Sequence, residues 1–354
     1  MKLTVTLPHH RYDLTIGAGL LANVGQWVSG LWKPQRVMII TDETVKALYA
    51  EQVVKQLRQE GFTADVFAVP TGETSKSLTQ AEELYDWLAS QGMTRKDGII
   101  ALGGGVVGDL TGFVASTFMR GLHFLQIPTT LLAQVDSSIG GKTAVNTKSA
   151  KNLVGTFAQP DGVLIDTDTL KTLEPRRVRE GIAEIVKSAA IADKELWETL
   201  SKLKDEADLL ANAEAIITAC CKVKRQVVEE DEFDTGQRLI LNFGHTIGHA
   251  IENTAGYGVV THGEAVSIGM IQISRVAEEK GLMPLGTTAQ LIEMVTKFNL
   301  PITTEHWSEE ALYKALTHDK KAVGSDIRIV LLESIGKAKI VKIVTDEMRE
   351  FLIK

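Results

Sequence analysis

Three histidines lie within eighteen positions of one another and have a spacing that suits metal binding. His245 and His249 are four residues apart, so a helix would place both imidazole rings on one face, and His262 follows after a glycine-rich turn. Imidazole is the commonest protein ligand for zinc-like metals. Half-buried histidines bonded to backbone carbonyls are the alternative. We predict a metal or catalytic site, although Thr246 rules out the His-Glu-x-x-His motif of zinc peptidases.

A second candidate group lies in the segment 181–191, where Glu184 and Lys187 are surrounded by apolar residues. Their spacing of three places both side chains on one face of a helix. On a solvated face they would form an ion pair worth roughly a few tenths of a kcal/mol. In an apolar segment, however, both charges are costly unless they have partners. We therefore predict a functional role for the pair.

The segment 127–152 mixes short polar side chains and glycines with apolar residues that a solvated loop would leave exposed. Within it stand Asp136, Lys142, Lys151 and Asn152. Lysine binds phosphate as a point charge, and an asparagine amide adds a neutral donor. The composition predicts a partly buried segment that binds an anionic ligand.

Gly103, Gly105 and Gly108 have the spacing G-x-G-x-x-G directly after a predicted strand, 98–102. Glycine at such a turn lets the backbone approach a pyrophosphate at the N-terminus of the following helix. The match alone is weak, because glycine also serves strand–helix packing and the acidic residue expected about 20 positions later is missing. Asp42, which ends an earlier predicted strand, is our candidate for a ribose hydroxyl, with helix N-capping as the alternative. We predict a dinucleotide-binding domain of non-standard layout.

The pattern of elements changes near residue 176. Before it, apolar strands alternate with amphipathic helices, which predicts an α/β domain with a Rossmann-like, mainly parallel sheet. After it the chain is predicted to be mainly α-helical, with a small strand pair at 326–332 and 338–343. The predicted domains are 1–175 and 176–354. The predicted helices of the second domain are 180–192, 194–203, 206–230, 238–254, 262–280 and 287–298.

Composition limits the possible partners. A chain of 354 residues with 44% hydrophobic residues predicts two domains, and the net charge of −7 without a basic block disfavours nucleic acid. Charged residues interrupt the longest apolar segments, so we expect no membrane span. The only cysteines, Cys220 and Cys221, are adjacent and predict no disulfide framework. We expect a soluble, cytoplasmic protein.

Four long motifs resemble those of the 3-dehydroquinate synthases, which belong to the sugar phosphate cyclase group. They are 103–109 (GGGVVGD), 128–142 (PTTLLAQVDSSIGGK), 179–187 (REGIAEIVK) and 242–249 (NFGHTIGH). The resemblance covers nearly the whole chain, from the strand ending at Asp42 to residues 319–321. It implies a dehydroquinate synthase-like fold and a homodimer.

The resemblance implies a phosphorus–oxygen lyase of the shikimate pathway that leads to chorismate and aromatic amino acids. The implied substrate is a phosphorylated sugar acid, 3-deoxy-D-arabino-heptulosonate 7-phosphate. Transient oxidation at C5 by NAD, β-elimination of phosphate, reduction and an intramolecular aldol closure would give 3-dehydroquinate. The implied metal is Zn2+, with Co2+ as a possible substitute, acting as a Lewis acid on the substrate hydroxyls.

The resemblance also assigns roles to residues of this chain. The implied metal ligands are Glu184, His245 and His262. The residues implied to surround the phosphate are Lys142, Asn152, Asn242, His249 and Lys320, with Arg120 acting across the dimer interface. The residues implied to bind substrate hydroxyls are Asp136 and Lys187, and those for the carboxylate are Lys224 and Arg238. Of these, Lys187, His249, Asp136 and Arg238 are predicted to be catalytic. The implied cofactor residues are Asp42, Glu73, Lys76, Gly105, Asp109, Thr129, Thr130, Lys142, Lys151, Thr169 and Thr172.

Three alternatives remain open at this point. An iron-type NAD-dependent polyol or glycerol dehydrogenase would usually have Asp as its first metal ligand and no Lys/Asn phosphate cluster. A cyclase acting on glucose 6-phosphate or sedoheptulose 7-phosphate would need no carboxylate site, so Lys224 and Arg238 count against it. A non-catalytic binding protein of the same fold would not need the full set of ligands and basic residues.

Overall fold

The computed structural model describes residues 1–256, 258–318 and 326–353. These residues form two compact units, Met1–Leu173 and Glu174–Lys354. The domain boundary predicted at 175/176 would fall in the first turn of a helix, Pro175–Ala192.

The first unit is built around a seven-stranded sheet with the order β1-β2-β9-β6-β5-β3-β4. Only β1 and β2 pair antiparallel, and the other neighbouring strands are parallel. The predicted mainly parallel sheet is therefore confirmed. The strands of this sheet are β1 (Lys2–Thr6), β2 (Arg11–Gly17), β3 (Arg36–Asp42), β4 (Thr63–Val69), β5 (Gly98–Gly103), β6 (His123–Pro128) and β9 (Gly162–Asp166).

Helices cover both faces of this sheet because its central strands are apolar on both sides. Ile39 of β3 packs into one core and Ile40 into the other, as the period of two in a strand requires. Helices α1 (Val24–Ser29) and α3 (Glu51–Gln59) contribute to the first core, and α4 (Leu78–Ser90) and α5 (Gly105–Thr117) to the second. A three-residue helix, α2 (Glu43–Val45), continues into α3 through a π-helical turn, Lys46–Ala50.

The polar middle segment is partly buried, as predicted. Leu131, Val135 and Ile139 are buried around a π-helical turn, Ala133–Ser137, which follows β6. A two-stranded antiparallel hairpin follows, formed by β7 (Lys142–Val145) and β8 (Val154–Phe157).

The second unit is mainly helical, as predicted. Two predicted helices are divided in the structure: 206–230 ends and restarts at Asn212, and 238–254 is broken at Gly244, whose φ of 78° is left-handed. The predicted strand pair forms an antiparallel hairpin, β10 (Asp326–Ser334) and β11 (Lys337–Val344). The helices are α6 (Pro175–Ala192), α7 (Lys194–Lys202), α8 (Glu206–Ala211), α9 (Ala213–Glu230), α10 (His245–Ala255), α11 (His262–Glu279), α12 (Thr287–Lys297) and α13 (Glu309–His318).

Within the described ranges, no helix combines the length and the apolar character that a membrane crossing requires.

Candidate metal centre and cofactor edge

Helix α6 carries Glu184 and Lys187 into the interior of the second unit. Their apolar neighbours Ile182, Ile185 and Val186 are completely buried. The two charged side chains are only 1% and 2% exposed and form an ion pair through Glu184 Oε2 and Lys187 Nζ. The alternative of a solvated surface pair is therefore excluded.

The other carboxylate oxygen of Glu184 faces two imidazole rings. Glu184 Oε1 lies 3.4 Å from His245 Nε2 and 3.2 Å from His262 Nε2. One ligand atom from each of the three residues can be chosen so that all lie within 4.8 Å of one another. This arrangement brings together one oxygen and two nitrogen donors at a single point.

The other ring nitrogens of the two histidines have partners of their own. His245 Nδ1 lies 3.2 Å from the backbone oxygen of Phe243, and His262 Nδ1 lies 3.2 Å from Glu252 Oε2. Metal-bound histidines usually donate their second N–H to a carbonyl or a carboxylate, which fixes the ring and its tautomer. Both rings thus direct Nε2 at Glu184, and the donor set fits a zinc-like ion.

Glycines allow the three ligand-bearing helices to approach this closely. A Cβ atom on Gly269 of α11 would lie 2.1 Å from the backbone oxygen of Gly244, just before α10. A Cβ atom on Gly263 would lie 2.4 Å from the Cα atom of Glu180 on α6. Real Cβ contacts are never this short, so larger residues at these positions would push α11 away from α10 and α6.

The charges in the cluster shift the pKa values of its members in opposite directions. Burial raises the pKa of Glu184, but Lys187 and His245 outweigh it and hold the pKa well below its usual value. Burial and then Lys187 lower the pKa of His245. Burial also opposes protonation of His262, yet its contacts with Glu184 and Glu252 raise its pKa to about 10. Without a metal ion these shifts favour the neutral form of His245 and the protonated form of His262, so that binding of an ion at His262 would release a proton.

His249 lies beside this donor set and is exposed. Its ring centroid is 5.2 Å from that of His245 and 5.9 Å from that of His262. Its substrate-contact role therefore stays a prediction, and the structure places it next to the three candidate ligands.

The predicted carboxylate-binding residues are buried in the same unit. Arg238 is 2% exposed and belongs to a 3-10 turn, Gln237–Asn242, while Lys224 lies on α9 and is also buried. The Arg238 Nη1 atom donates to the backbone oxygen of Glu232 at 2.5 Å. The Arg238 backbone N–H donates to Asp231 Oδ2 at 3.1 Å. The loop before the 3-10 turn therefore fixes the position of this guanidinium.

Two predicted phosphate-site residues of the second unit have different outcomes. Asn242 is half-buried at the end of the 3-10 turn that contains Arg238. Lys320 lies outside the described residues, as does Lys321, the other lysine of that pair.

In the first unit, the predicted cofactor residues cluster at the carboxyl ends of parallel strands. Asp42 ends β3, Gly105 follows β5, Thr129 follows β6 and Thr169 follows β9. The chain passes from β3 outward to β4 and then returns to β5 on the other side of β3. Such a reversal of strand order is where open α/β sheets bind nucleotides.

Asp42 has the N-capping role that was the alternative prediction. Its Oδ1 atom accepts from the backbone N–H of Val45 at 3.0 Å and from the Thr71 hydroxyl at 3.3 Å. Capping one end of a helix does not prevent the second carboxylate oxygen from binding a hydroxyl. The ribose assignment therefore stays a prediction.

The glycine-rich turn is tightly packed. Cβ atoms would lie 2.7 Å from Val107 Cγ2 if placed on Gly103, and 3.0 Å from Ser137 Oγ if placed on Gly105. On Gly108 a Cβ atom would lie 2.9 Å from Gln126 Oε1. Packing alone therefore accounts for these glycines, and the pyrophosphate assignment depends on the position of the α5 N-terminus at the strand ends.

Other predicted cofactor residues form pairs along this edge. Lys76 is buried and forms an ion pair with Asp109 of α5. Glu73 Oε1 accepts from the Asn146 side chain at 2.8 Å. The remaining members are Thr130, whose hydroxyl accepts from the backbone of Ala133, and Thr172, whose hydroxyl lies 2.6 Å from that of Tyr49.

The predicted anion-binding residues of the first unit occupy the hairpin region. Asp136 is half-buried in the π-helical turn, and Lys142 is exposed at the start of β7. Lys151 and Asn152 lie in the loop between β7 and β8, where Asn152 has a φ of 53° and its N–H donates to Asn146 Oδ1 at 2.9 Å.

Sequence reasoning missed two residues that hold these groups in place. Glu252 contacts His262, and its only sequence signal is its position three residues after His249 on the same helix. Gln134 is completely buried, and its Nε2 atom donates to the backbone oxygens of Pro128 and Asp166 and to the Thr169 hydroxyl at 2.9–3.2 Å. The segment around Gln134 was predicted to be partly buried, but nothing in the sequence indicates which groups its amide contacts.

Solved structures of cyclases have the same fold over nearly the whole chain. A 2-deoxy-scyllo-inosose synthase, solved with carbaglucose-6-phosphate, NAD+ and Co2+, matches with a TM-score of 0.90 and 27% identity over 99% of each chain. A 2-epi-5-epi-valiolone synthase from Streptomyces hygroscopicus, solved with NAD+ and Zn2+, matches with a TM-score of 0.89 and 28% identity over 98% of this chain and 97% of its own. A butanol dehydrogenase from Thermotoga maritima shares the fold alone, with a TM-score of 0.68 at 12% identity over 98% of this chain and 97% of its own. The fold and the set of candidate metal donors therefore assign this chain to the cyclase class.

Sequence relatives identify the family within that class. Family models for the N-terminal and C-terminal parts of 3-dehydroquinate synthase match residues 66–180 and 181–322. The 3-dehydroquinate synthase of Enterococcus faecalis is 71% identical over 352 residues, which cover 99% of this chain and 98% of the relative. That of Lactococcus lactis subsp. cremoris is 58% identical over 356 residues, which cover 100% of both. The chain belongs to the 3-dehydroquinate synthase family, and the predicted resemblance is confirmed.

Proposed function

We propose that this protein converts 3-deoxy-D-arabino-heptulosonate 7-phosphate to 3-dehydroquinate and phosphate, a step of the shikimate pathway. Its membership of the 3-dehydroquinate synthase family supports the reaction. The observation in the molecule that carries the proposal is the convergence of Glu184, His245 and His262 in the second unit. Catalytic zinc is typically held by three protein ligands, which leave one coordination position open. We place the reaction in the cytoplasm, since two adjacent cysteines provide no disulfide framework.

The two units take different parts in this proposal. The first unit, with its Rossmann-like sheet, binds NAD, and the second, helical unit binds the metal and supplies most of the substrate-binding groups. When bound, zinc or cobalt supplies a Lewis acid for the substrate hydroxyls, and NAD supplies a hydride acceptor that later returns the hydride. Solved cyclases that contain NAD+ with Co2+ or Zn2+ support this choice.

Basic groups of the second unit bind and orient the substrate. Lys224 and Arg238 are buried cations on neighbouring segments, and we assign the substrate carboxylate to them. A guanidinium presents parallel N–H donors that match the two oxygens of a carboxylate. Lys187 neutralises Glu184 and is assigned to a substrate hydroxyl. A cyclase substrate without a carboxylate could not make the contacts with Lys224 and Arg238. These contacts therefore set the preference for the heptulosonate.

Phosphate-binding residues are proposed in both units. His249 is exposed beside the metal ligands, and Asn242 ends the turn that contains Arg238. We assign these two residues to the phosphate, together with Lys142 and Asn152 of the first unit. His249 also has the imidazole chemistry needed to hold or move a proton near neutral pH. Asp136 completes the set as an acceptor for a substrate hydroxyl.

The cofactor assignments of the first unit rest on its strand ends. The N-terminus of α5 follows directly after β5, and a helix N-terminus favours the negative charge of a pyrophosphate. Asp42, at the end of β3, is assigned to the ribose. The other proposed contacts are Glu73, Lys76, Gly105, Asp109, Thr129, Thr130, Lys142, Lys151, Thr169 and Thr172.

A homodimer in which Arg120 acts across the interface is part of the same proposal. Arg120 is exposed and follows α5 in a tight turn. Met119 and Arg120 have φ values of 50° and 70°, in the left-handed region that residues other than glycine rarely adopt. Backbone strain of this kind is concentrated at functional sites. The strained turn therefore supports a functional role for the exposed guanidinium.

The test is to follow phosphate release and NADH absorbance together, with the heptulosonate, NAD and zinc. The proposed reaction releases phosphate without net NADH, because the hydride that is removed is also returned, and 3-dehydroquinate is the product. Glucose 6-phosphate and sedoheptulose 7-phosphate serve as substrates without a carboxylate and should be poor. Steady formation of NADH from glycerol, with no phosphate release from the heptulosonate, would contradict the proposal and favour a dehydrogenase.

A further inference from the structure

We propose that Glu252 is a positioning residue that holds His262 with its Nε2 atom directed at the metal site. The inference rests on the metal site of the proposed function, and it adds a residue that does not itself bind the ion. Glu252 lies on α10, and His262 is the first residue of α11. The contact between Glu252 Oε2 and His262 Nδ1, at 3.2 Å, therefore joins two separate helices.

The geometry separates the functions of the two ring nitrogens of His262. Nδ1 faces Glu252, and Nε2 faces Glu184 Oε1 at 3.2 Å. A neutral imidazole has one N–H and one lone pair, so an acceptor at Nδ1 places the lone pair on Nε2. Glu252 thereby selects the tautomer that can bind a metal ion next to Glu184.

His262 needs such a partner more than His245 does. His245 is held by the backbone oxygen of Phe243, which lies two residues earlier in the chain. His262 starts its helix and is 25% exposed, and the hydrogen bonds of its ring seen in the described part of the chain are with the carboxylates of Glu184 and Glu252. Loss of Glu252 would leave the Glu184 contact at Nε2 to orient the ring. The Glu252 side chain is only 10% exposed. The charged carboxylate of Glu252, in this partly buried position, holds the ring more firmly than a neutral carbonyl would.

The negative charge of Glu252 has a second effect. A carboxylate that accepts from a histidine makes the imidazole a stronger electron donor to a metal ion. Loss of such an outer contact typically weakens metal binding about 10- to 100-fold. Glu252→Ala should therefore lower zinc affinity by about this factor, and Glu252→Gln, which keeps an acceptor oxygen but not the charge, should give a smaller loss.

A competing role for Glu252 is direct metal binding with His249 and His262, since one ligand atom from each of these three residues can also lie within 4.8 Å of the others. The two roles differ in a double-mutant cycle. A positioning residue acts only through His262, so Glu252→Ala should weaken binding no further in a His262→Ala background. A direct ligand would keep its own effect in that background.

The experiment measures zinc and cobalt affinity of the full-length protein by competition with a chelator. Its variants are Glu252→Ala, Glu252→Gln, His262→Ala and Glu252→Ala/His262→Ala. Glu198→Gln on α7, whose side chain is 57% exposed, is the matched control and should bind as the unmodified protein does. Circular dichroism in the presence of EDTA verifies that each variant is folded. The absorption bands of bound Co2+ should shift in Glu252→Gln, because the donor strength of His262 changes.

The possible outcomes separate this inference from the proposed metal site. If the unmodified protein binds no metal, or His262→Ala binds as tightly as it does, the metal site itself is wrong. If His262→Ala loses affinity but Glu252→Ala binds normally with unchanged cobalt bands, only the positioning role is wrong. An undiminished effect of Glu252→Ala in the His262→Ala background would also overturn it, in favour of direct binding.

Discussion

Glu184 and Lys187 form an ion pair in the interior of the second unit, with side chains that are 1% and 2% exposed. The pair divides the carboxylate: Oε2 faces the ammonium, and Oε1 faces the two histidines. Removing two charges from water costs more than their attraction returns unless further partners are present. The pair alone is therefore poor as a stabilising device, which supports the proposed role of Glu184 as a metal ligand.

We expect Glu184→Gln to lose tightly bound zinc and most activity. The amide oxygen is a weaker ligand than a carboxylate oxygen, and Lys187 would keep its charge in the core without a counter-charge. An uncompensated buried charge destabilises by about 3 kcal/mol or more. Metal content after dialysis, activity and the midpoint of chemical unfolding are the three measurements.

A double variant separates the two effects of that substitution. Glu184→Gln/Lys187→Met removes the unpaired charge, so stability should largely return while zinc binding stays absent. One zinc per chain and full activity in the single variant would show that the ligand set is wrong.

Gly263→Ala should impair the metal centre although it changes no ligand. The added methyl group would lie 2.4 Å from the Glu180 Cα atom, so α11 must shift and carry His262 away from Glu184. A displacement of about 1 Å at a reacting centre costs about 100-fold in rate. Gly30→Ala, whose Cβ atom would have its nearest neighbour at 3.4 Å, controls for the added methyl group. Equal activity of the two variants would contradict the close-approach argument.

Gln134→Leu should weaken NAD binding about tenfold, because loss of a buried donor costs about 1–3 kcal/mol. The Gln134 amide links the last residues of β6 and β9, Pro128 and Asp166, and also donates to the hydroxyl of the predicted cofactor residue Thr169. The affinity is measured by calorimetry on the full chain. Gln80→Leu on α4, whose amide donates to Glu83 of the same helix, is the control. Unchanged NAD affinity in Gln134→Leu would separate these loops from cofactor binding.

Asp231→Asn should destabilise the protein by about 1 kcal/mol at pH 7. Burial raises the pKa of Asp231, but the backbone N–H groups of Thr235, Gly236 and Arg238 lower it more, so it lies below its ordinary value of 3.8. A carboxyl with a lowered pKa in the folded state adds stability above that ordinary value, and the contribution is lost as pH falls through the folded pKa.

The difference in unfolding midpoint between Asp231→Asn and the unmodified protein should therefore be constant from pH 7 to about 5 and should shrink below about pH 4. Glu232→Gln is the control for a neighbouring charge. A difference that persists unchanged at low pH would mean that the Asp231 carboxylate is not the cause.

Arg120→Ala and Glu184→Gln should complement each other if Arg120 acts across a homodimer. Each variant alone should be nearly inactive. In a mixed dimer, one site combines an intact Glu184 with an intact Arg120 from the other chain, so a doubly tagged, purified heterodimer should have about half the normal activity. No recovery in a verified heterodimer would place Arg120 within its own subunit's site or outside any site.

The proximity of the candidate metal ligands was easier to predict from the sequence than the elements that hold them. Three histidines stood out because histidine is uncommon in this chain and because His245 and His249 are four residues apart. The structure brings His245 and His262 to Glu184. The break before α10 was missed because Phe243 and Gly244 continue the apolar pattern of a helix. A left-handed backbone at one glycine is a local choice that periodicity does not reveal.

Contacts between distant segments were also beyond prediction. Glu252 meets His262 only because α10 and α11 pack closely, and Gln134 meets Asp166 across 32 positions of sequence. Neither residue type is unusual, and no spacing in the sequence pairs either residue with its partner. In contrast, the parallel sheet followed from apolar strands that alternate with amphipathic helices, since both faces of its strands must be covered.

The close packing of α10 and α11 determines which amino-acid substitutions this chain can tolerate during evolution. Backbone atoms set the distance between the two helices where Gly269 faces the Gly244 carbonyl, so the distance there does not depend on the size of a side chain at position 269. Surrounding apolar residues such as Ile247 and Ile271 are free to exchange for others of similar volume over generations while the two helices stay in register. The core residues can therefore vary while the imidazole rings keep their positions, because a few glycines set the distance between the two helices.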